Sequence, residues 1–90
     1  MFIVWDEAKR LANLAKHGLD FETFEEAFEF RSAVTVPTAQ SRTGRQREML
    51  IGLMVGRVVV AIISPLGREA LSLISLRYAD PAERKLFDGT

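Results

Sequence analysis

Seven arginines lie between residues 31 and 77, at positions 31, 42, 45, 47, 57, 68 and 77, against only Glu48 and Glu69 in the same stretch. A guanidinium keeps its charge and offers a planar fork that matches phosphate oxygens. Arg47 opens one apolar segment and Arg77 closes another, so antiparallel pairing would set them at neighbouring sheet ends. Two guanidiniums so placed would stabilise the negative charge that builds on the phosphorane oxygens when a 2′-hydroxyl attacks a phosphodiester, and would do so without a metal. Arg42, Arg45 and Arg57 are candidates for further RNA phosphate contacts, and Tyr78 for stacking on a base. The plainer reading of the same charges is solvated side chains on sheet edges.

Acid–base chemistry has few candidates. His17 is the single histidine, and imidazole alone titrates near neutrality without perturbation. Its place at a helix end gives it a simpler role, favourable interaction with the helix dipole. One histidine and no cysteine form no metal signature. There is no glycine-rich phosphate loop and no defensible Ser-His-Asp arrangement.

The charge is unevenly spread. Residues 6–29 carry seven acidic side chains (6, 7, 20, 22, 25, 26, 29) and three basic ones (9, 10, 16), an excess of four negative charges. Residues 31–77 carry seven basic and two acidic ones, an excess of five positive charges, while the whole chain sums to zero. Screening confines a local field to about 10 Å, so a neutral protein can still present a phosphate-binding surface.

Ninety residues with 48% hydrophobic content suit one domain spanning 1–90 with a real core. The absence of cysteine fits a reducing compartment. The longest apolar run, Val58 to Ile63, is far short of the ~20 residues a membrane helix needs. Asp6 and Glu7 stand where a signal peptide would be basic and then apolar. The expectation is a cytoplasmic protein that makes no membrane contact.

The elements that must hold these groups follow from pattern. Phe2 to Trp5 reads as a strand. Asp6 caps a helix over 6–17, with Ala8, Leu11, Ala12 and Ala15 at helical spacing and Gly18 ending it. Asp20 caps a second helix, whose buried stripe is Phe21, Phe24, Ala27 and Phe28 and whose wet face is Glu22, Glu25, Glu26 and Glu29. Ala33 to Val36 is a strand stopped by Pro37, and Thr38 to Gln46 a polar loop. Met49 to Val55 and Val58 to Ile63 are strands around a turn at Gly56-Arg57. Ser64 to Gly67 is a turn and Ala70 to Arg77 the last strand. Asp80-Pro81-Ala82-Glu83 opens a short final helix with a capping box. The order predicts an α+β fold, an antiparallel β-sheet packed by two N-terminal helices, with a short C-terminal helix.

The run Trp5-Asp6-Glu7-Ala8-Lys9, then Asn13, Lys16-His17-Gly18 and Phe21, resembles the opening WDxxKxxxNxxKHGxxF pattern of the BrnT family. The likeness continues through Arg47, Ile51-Gly52, Gly56-Arg57, Ile74-Ser75, Arg77, Ala79 and Glu83-Arg84, so it runs from Trp5 to about Phe87. The resemblance implies a RelE-like fold and a type II toxin: a metal-independent ribonuclease that needs no cofactor and inhibits translation. It implies neutralisation by a DNA-binding, BrnA-like antitoxin. The toxin would then reach DNA only through that partner, in a heterotetramer or homodimer. Carried over by position, Arg47 and Arg77 lead the active-site candidates, followed by Lys9, His17 and Glu83. Where the family pattern has basic residues this chain has Ala70 and Ser72, and where it has a late tyrosine this chain has Phe87. Those departures motivate an alternative, a non-catalytic protein-interaction module or degenerate toxin acting in an autoregulatory repressor complex. Trp5, Asp6, Asn13 and Gly18 also have a structural reading, as anchor, cap, backbone partner and left-handed turn.

Overall fold

A computed structural model describes residues 1–38 and 46–89. Its elements run β1 (Phe2–Val4), α1 (Glu7–His17), α2 (Phe21–Ala27), a 3₁₀ turn (Phe30–Ser32), β2 (Val34–Pro37), β3 (Glu48–Met54), β4 (Arg57–Leu66), β5 (Ala70–Tyr78) and α3 (Pro81–Asp88). The helix boundaries follow the caps. The Asp6 carboxylate accepts from the Ala8 amide at 2.8 Å and the Asp20 carboxylate from Glu22 at 3.0 Å. Gly18 leaves α1 at φ 72°, a conformation that costs glycine little. Asp80 and Glu83 close a reciprocal capping box on α3.

Five strands form one sheet in the order β1-β5-β4-β3-β2. β2 to β5 are an antiparallel meander, but β1 lies parallel to β5, with Ile3 opposite Leu71. The sheet is therefore mixed rather than antiparallel throughout. Short turns force antiparallel neighbours only between consecutive strands. β1 is followed by α1 and α2, and no turn sets its direction against β5.

Both sheet faces are apolar, which explains the unbroken run in β4. On one face Leu50, Val59, Ala61, Leu73 and Leu76 pack with Phe21, Phe24 and Phe28. On the other, Ile51, Val60 and Ala79 pack with Ile62 and Phe87 of α3. A strand covered on both sides needs no polar alternation. The acidic residues of α2 stay outside, at 22, 25 and 26, with Glu29 just beyond its end.

Three local expectations are corrected. The β3–β4 turn is centred on Val55-Gly56, since Met54 pairs with Arg57. β4 continues through Ser64-Pro65-Leu66, and the turn follows at 67–69. Proline fits there because β3 begins opposite Ile63, so this end of β4 is paired on one side only. In α1 only Asn13 is buried, while Leu11 is 53% exposed.

Candidate active site

A cation-rich pocket lies where α1 meets β5. It encloses about 260 Å³ and is lined by Lys9, Ala12, Asn13, Lys16, His17, Ile74 and Ser75. Lys9, Asn13, Lys16 and His17 fall at i, i+4, i+7 and i+8, which is one stripe of a helix. The stripe is held against β5 by Asn13. Its Nδ2 donates to the Leu76 carbonyl at 2.8 Å and to the Leu19 carbonyl at 3.1 Å, and its Oδ1 accepts from the Leu76 amide at 3.0 Å.

β5 contributes a bulge. Ile62 pairs with Ser75 and Ile63 with Leu73, so Ile74 is the extra residue. Bulges re-aim side chains and recur beside active sites; this one presents Ile74 and Ser75 to the pocket. Two residues on, Arg77 opposes Val60 as Ser75 opposes Ile62. Both partners belong to the apolar cluster beneath α3, so strand alternation puts Ser75 and Arg77 on one face, about 7 Å apart.

Arg77 is fixed by Glu83 of α3. Nη1 and Nη2 each donate to a Glu83 carboxylate oxygen at 2.7 Å, and Nη1 also reaches the Tyr78 carbonyl at 3.3 Å. The hydrogen bonds from Arg77 are the main reason the Glu83 carboxyl lies below the usual range; burial opposes the shift, and the Asp80 amide adds to it. The bond to Glu83 likewise raises Arg77 further above its already high value. A bidentate pair fixes the plane of the guanidinium as well as its charge.

The other predicted residues lie elsewhere. The Arg57 guanidinium sits 4.4 Å above the Tyr78 ring. Arg47 precedes β3, with its Nε buried and unpartnered among the described residues and its carbonyl accepting from the Thr38 hydroxyl at 3.0 Å. Arg42 and Arg45 lie outside the described residues. Arg47 and Arg77 do not share a sheet end. Arg77 aligns through Val60 with Ile51, four residues beyond Arg47. That places the two about 13 Å apart along the strands and about 10 Å across them. β3 and β5 both run against β4, so the start of one and the end of the other fall at opposite ends of the sheet.

The model of the family described as "Ribonuclease toxin, BrnT, of type II toxin-antitoxin system" matches residues 5–83. The chain belongs to the BrnT family. The crystal structure of the Brucella abortus ribonuclease toxin BrnT is similar, with 46% identity and a TM-score of 0.73 over 89% of this chain and 97% of that one. No curated protein matches by sequence.

Membership makes this chain a ribonuclease toxin of a type II toxin–antitoxin system, a class defined by an antitoxin partner. In this BrnT chain the departures from the pattern have definite places. Ala70 pairs with Phe2 and Ser72 with Val4, and the side chains of Phe2 and Val4 are exposed on the edge strand β1. Phe87 packs into the cluster of Ile51, Val60 and Ala79. The motif's structural members also have their partners: Trp5 packs edge-on to Phe21 with ring centroids 6.0 Å apart, and Asp6 and Gly18 cap α1. Sequence reasoning passed over Lys16 and Ser75 as site residues. Lys16 was legible as one stripe with Lys9, whereas Ser75 depends on a bulge that no residue pattern announces. Among the described residues, no three His, Cys, Asp or Glu side chains gather into a metal-binding group. No described helix is long and apolar enough to cross a membrane.

Proposed function

We propose that this RelE-like toxin cleaves RNA without a metal in the pocket between α1 and β5. The observation that carries the reading is the convergence of Lys9, Lys16 and His17 on Ser75 in one cavity. Two ammonium groups attract a phosphodiester and repel a divalent cation. His17 takes the proton of the 2′-hydroxyl as its oxygen bonds to phosphorus. The phosphorus–O5′ bond breaks, O5′ takes a proton from water, the hydroxide so formed takes the proton back from His17, and the products are a 2′,3′-cyclic phosphate and a 5′-hydroxyl. Lys9 and Lys16 stabilise the charge that grows on the phosphate oxygens. Arg77 adds its field from the same strand face, and Glu83 is a positioning residue that holds it there. Arg47 serves no step in this scheme. In the cytoplasm the cleavage inhibits translation, and a BrnA-type antitoxin that binds DNA neutralises the toxin, acting as a single domain over 1–90, in a heterotetramer.

The test is purified protein incubated with RNA in EDTA. Wild type is expected to cleave and leave cyclic-phosphate ends. His17→Gln is expected to lose ~10²–10⁴-fold in rate, and Lys9→Ala to lose ground as well, while Arg47→Ala stays within tenfold of wild type. Cleavage undiminished in His17→Gln would overturn the assignment. A non-catalytic interaction module in a repressor complex is favoured by one observation, the exposure of Phe2 and Val4 on the edge strand β1. No cleavage by well-folded wild type would select that second reading.

A further inference from the structure

We infer that Arg57 and Tyr78 form a preassembled stacking platform that takes one unpaired RNA base, purine in preference to pyrimidine. The inference rests on the reading of the chain as a ribonuclease and concerns which RNA it engages, not how cleavage occurs.

Tyr78 ends β5 and is 44% exposed, although its in-register partner Val59 is fully buried. Arg57 begins β4, two residues before Val59, so alternation places both side chains on the same face. The guanidinium carbon lies 4.4 Å from the ring centroid, a stacking distance. Arg57 has no carboxylate partner among the described residues, where the ion pairs are Arg10 with Glu7 and Asp20, and Arg77 with Glu83. Its charge is therefore exposed and not neutralised by an acid.

The platform is also anchored from behind. Arg77 holds the Tyr78 carbonyl at 3.3 Å while clamped to Glu83. Tyr78 stands three residues beyond Ser75, about 10 Å along the strand and on the opposite sheet face, so a strand gripped by its phosphate in the pocket must round the end of β5 to lay a neighbouring base on the ring. The exposed guanidinium lying on the Tyr78 ring offers its outer face, on which a base can extend the stack. Such contacts read the size of the base's π-surface rather than its hydrogen-bonding edge. The larger purine ring system gains more. Paired bases are closed to this contact, so the substrate is single-stranded.

The experiment is fluorescence anisotropy with non-cleavable 2′-O-methyl oligonucleotides: a uridine octamer, the same octamer with one central adenosine, and that adenosine octamer annealed to its complement. Wild type is expected to bind the adenosine octamer several-fold more tightly than the uridine octamer, and the duplex weakly. Tyr78→Ala is expected to lose about tenfold on the adenosine octamer and to bind both single strands equally, whereas Tyr78→Phe keeps the preference. Arg57→Ala is expected to weaken binding and to reduce the salt slope by about 0.7. Circular dichroism checks that each variant is folded. Equal affinity of wild type and Tyr78→Ala for the adenosine octamer overturns the platform; if Lys9→Ala still weakens binding in that case, the ribonuclease reading stands without it. Failure of wild type to bind any single strand overturns both.

Discussion

The Leu76 amide and carbonyl, on the open edge of β5, are both bonded by the side chain of Asn13, at 3.0 and 2.8 Å. β1 pairs with β5 only as far as Ser72, so beyond that point the carboxamide does the work of a neighbouring strand's peptide group. Asn13→Ala strands two buried backbone groups on Leu76 and loosens α1 at the pocket. Each buried orphan costs about 1–3 kcal/mol. The expected loss is about 2–6 kcal/mol, read as a lower urea midpoint at unchanged slope. A loss below about 0.5 kcal/mol, within the range of ordinary surface changes, would show that the pairing is dispensable.

Gly52 sets a second stability limit. A Cβ on this residue would meet Phe28 Cζ at 2.7 Å and the Ala33 Cβ at 3.2 Å. The Phe28 ring has little room to yield, since it stacks on Phe24 at 4.5 Å and meets Phe30 edge-on at 4.9 Å. Gly52→Ala is expected to destabilise by about 1–3 kcal/mol, the range for overpacking a filled core. Thermal melts of the two proteins decide it, and an unchanged midpoint would mean the ring moves freely.

Much of this architecture was legible along the chain, because its signals are local. Asp6, Asp20 and Asp80 marked helix starts, Gly18 an end, and three phenylalanines a buried stripe. What escaped depends on distant partners. The direction of β1 is set against β5, nearly seventy residues away in sequence. The burial of Asn13 in place of Leu11 depends on an open strand edge that Asn13 alone can satisfy. Within the site, the Lys9–His17 stripe followed from helical periodicity, but the bulge that brings Ser75 to it did not. The separation of Arg47 from Arg77 could have been counted, since two hairpin turns restore the strand direction.

Val55 holds φ at 50° in the β3–β4 turn and is 73% exposed. With Gly56 at φ 74° it makes a turn with two left-handed residues, which suits hairpin twist but favours asparagine or glycine at the first position. A β-branched side chain there is strained. Val55→Asn is expected to stabilise the fold by about 1 kcal/mol, with the gain taken from removed left-handed strain. Chemical denaturation measures it, and a neutral or negative change would mean that the valine has contacts that outweigh the strain.

The Arg77–Glu83 pair predicts an acid-sensitive share of stability. The Glu83 carboxyl is held below its ordinary value in the folded protein, chiefly by Arg77. The unfolded chain then binds a proton more readily, so stability falls as pH falls. The contribution is complete above the unfolded carboxyl value of about 4.3 and is lost as pH drops through the lower folded value. Arg77 itself is raised, so its share is lost only at strongly alkaline pH. Glu83→Gln is expected to be less stable than wild type at pH 7, with the two proteins converging as pH is lowered below about 4. Asp20 is also held below its usual range, mainly by the Glu22 amide, so some acid sensitivity persists in the variant. Urea midpoints at a series of pH values between 3 and 7 provide the measurement. A constant gap between the curves would mean that the pair does not titrate with folding and that Glu83 acts on Arg77 through shape alone.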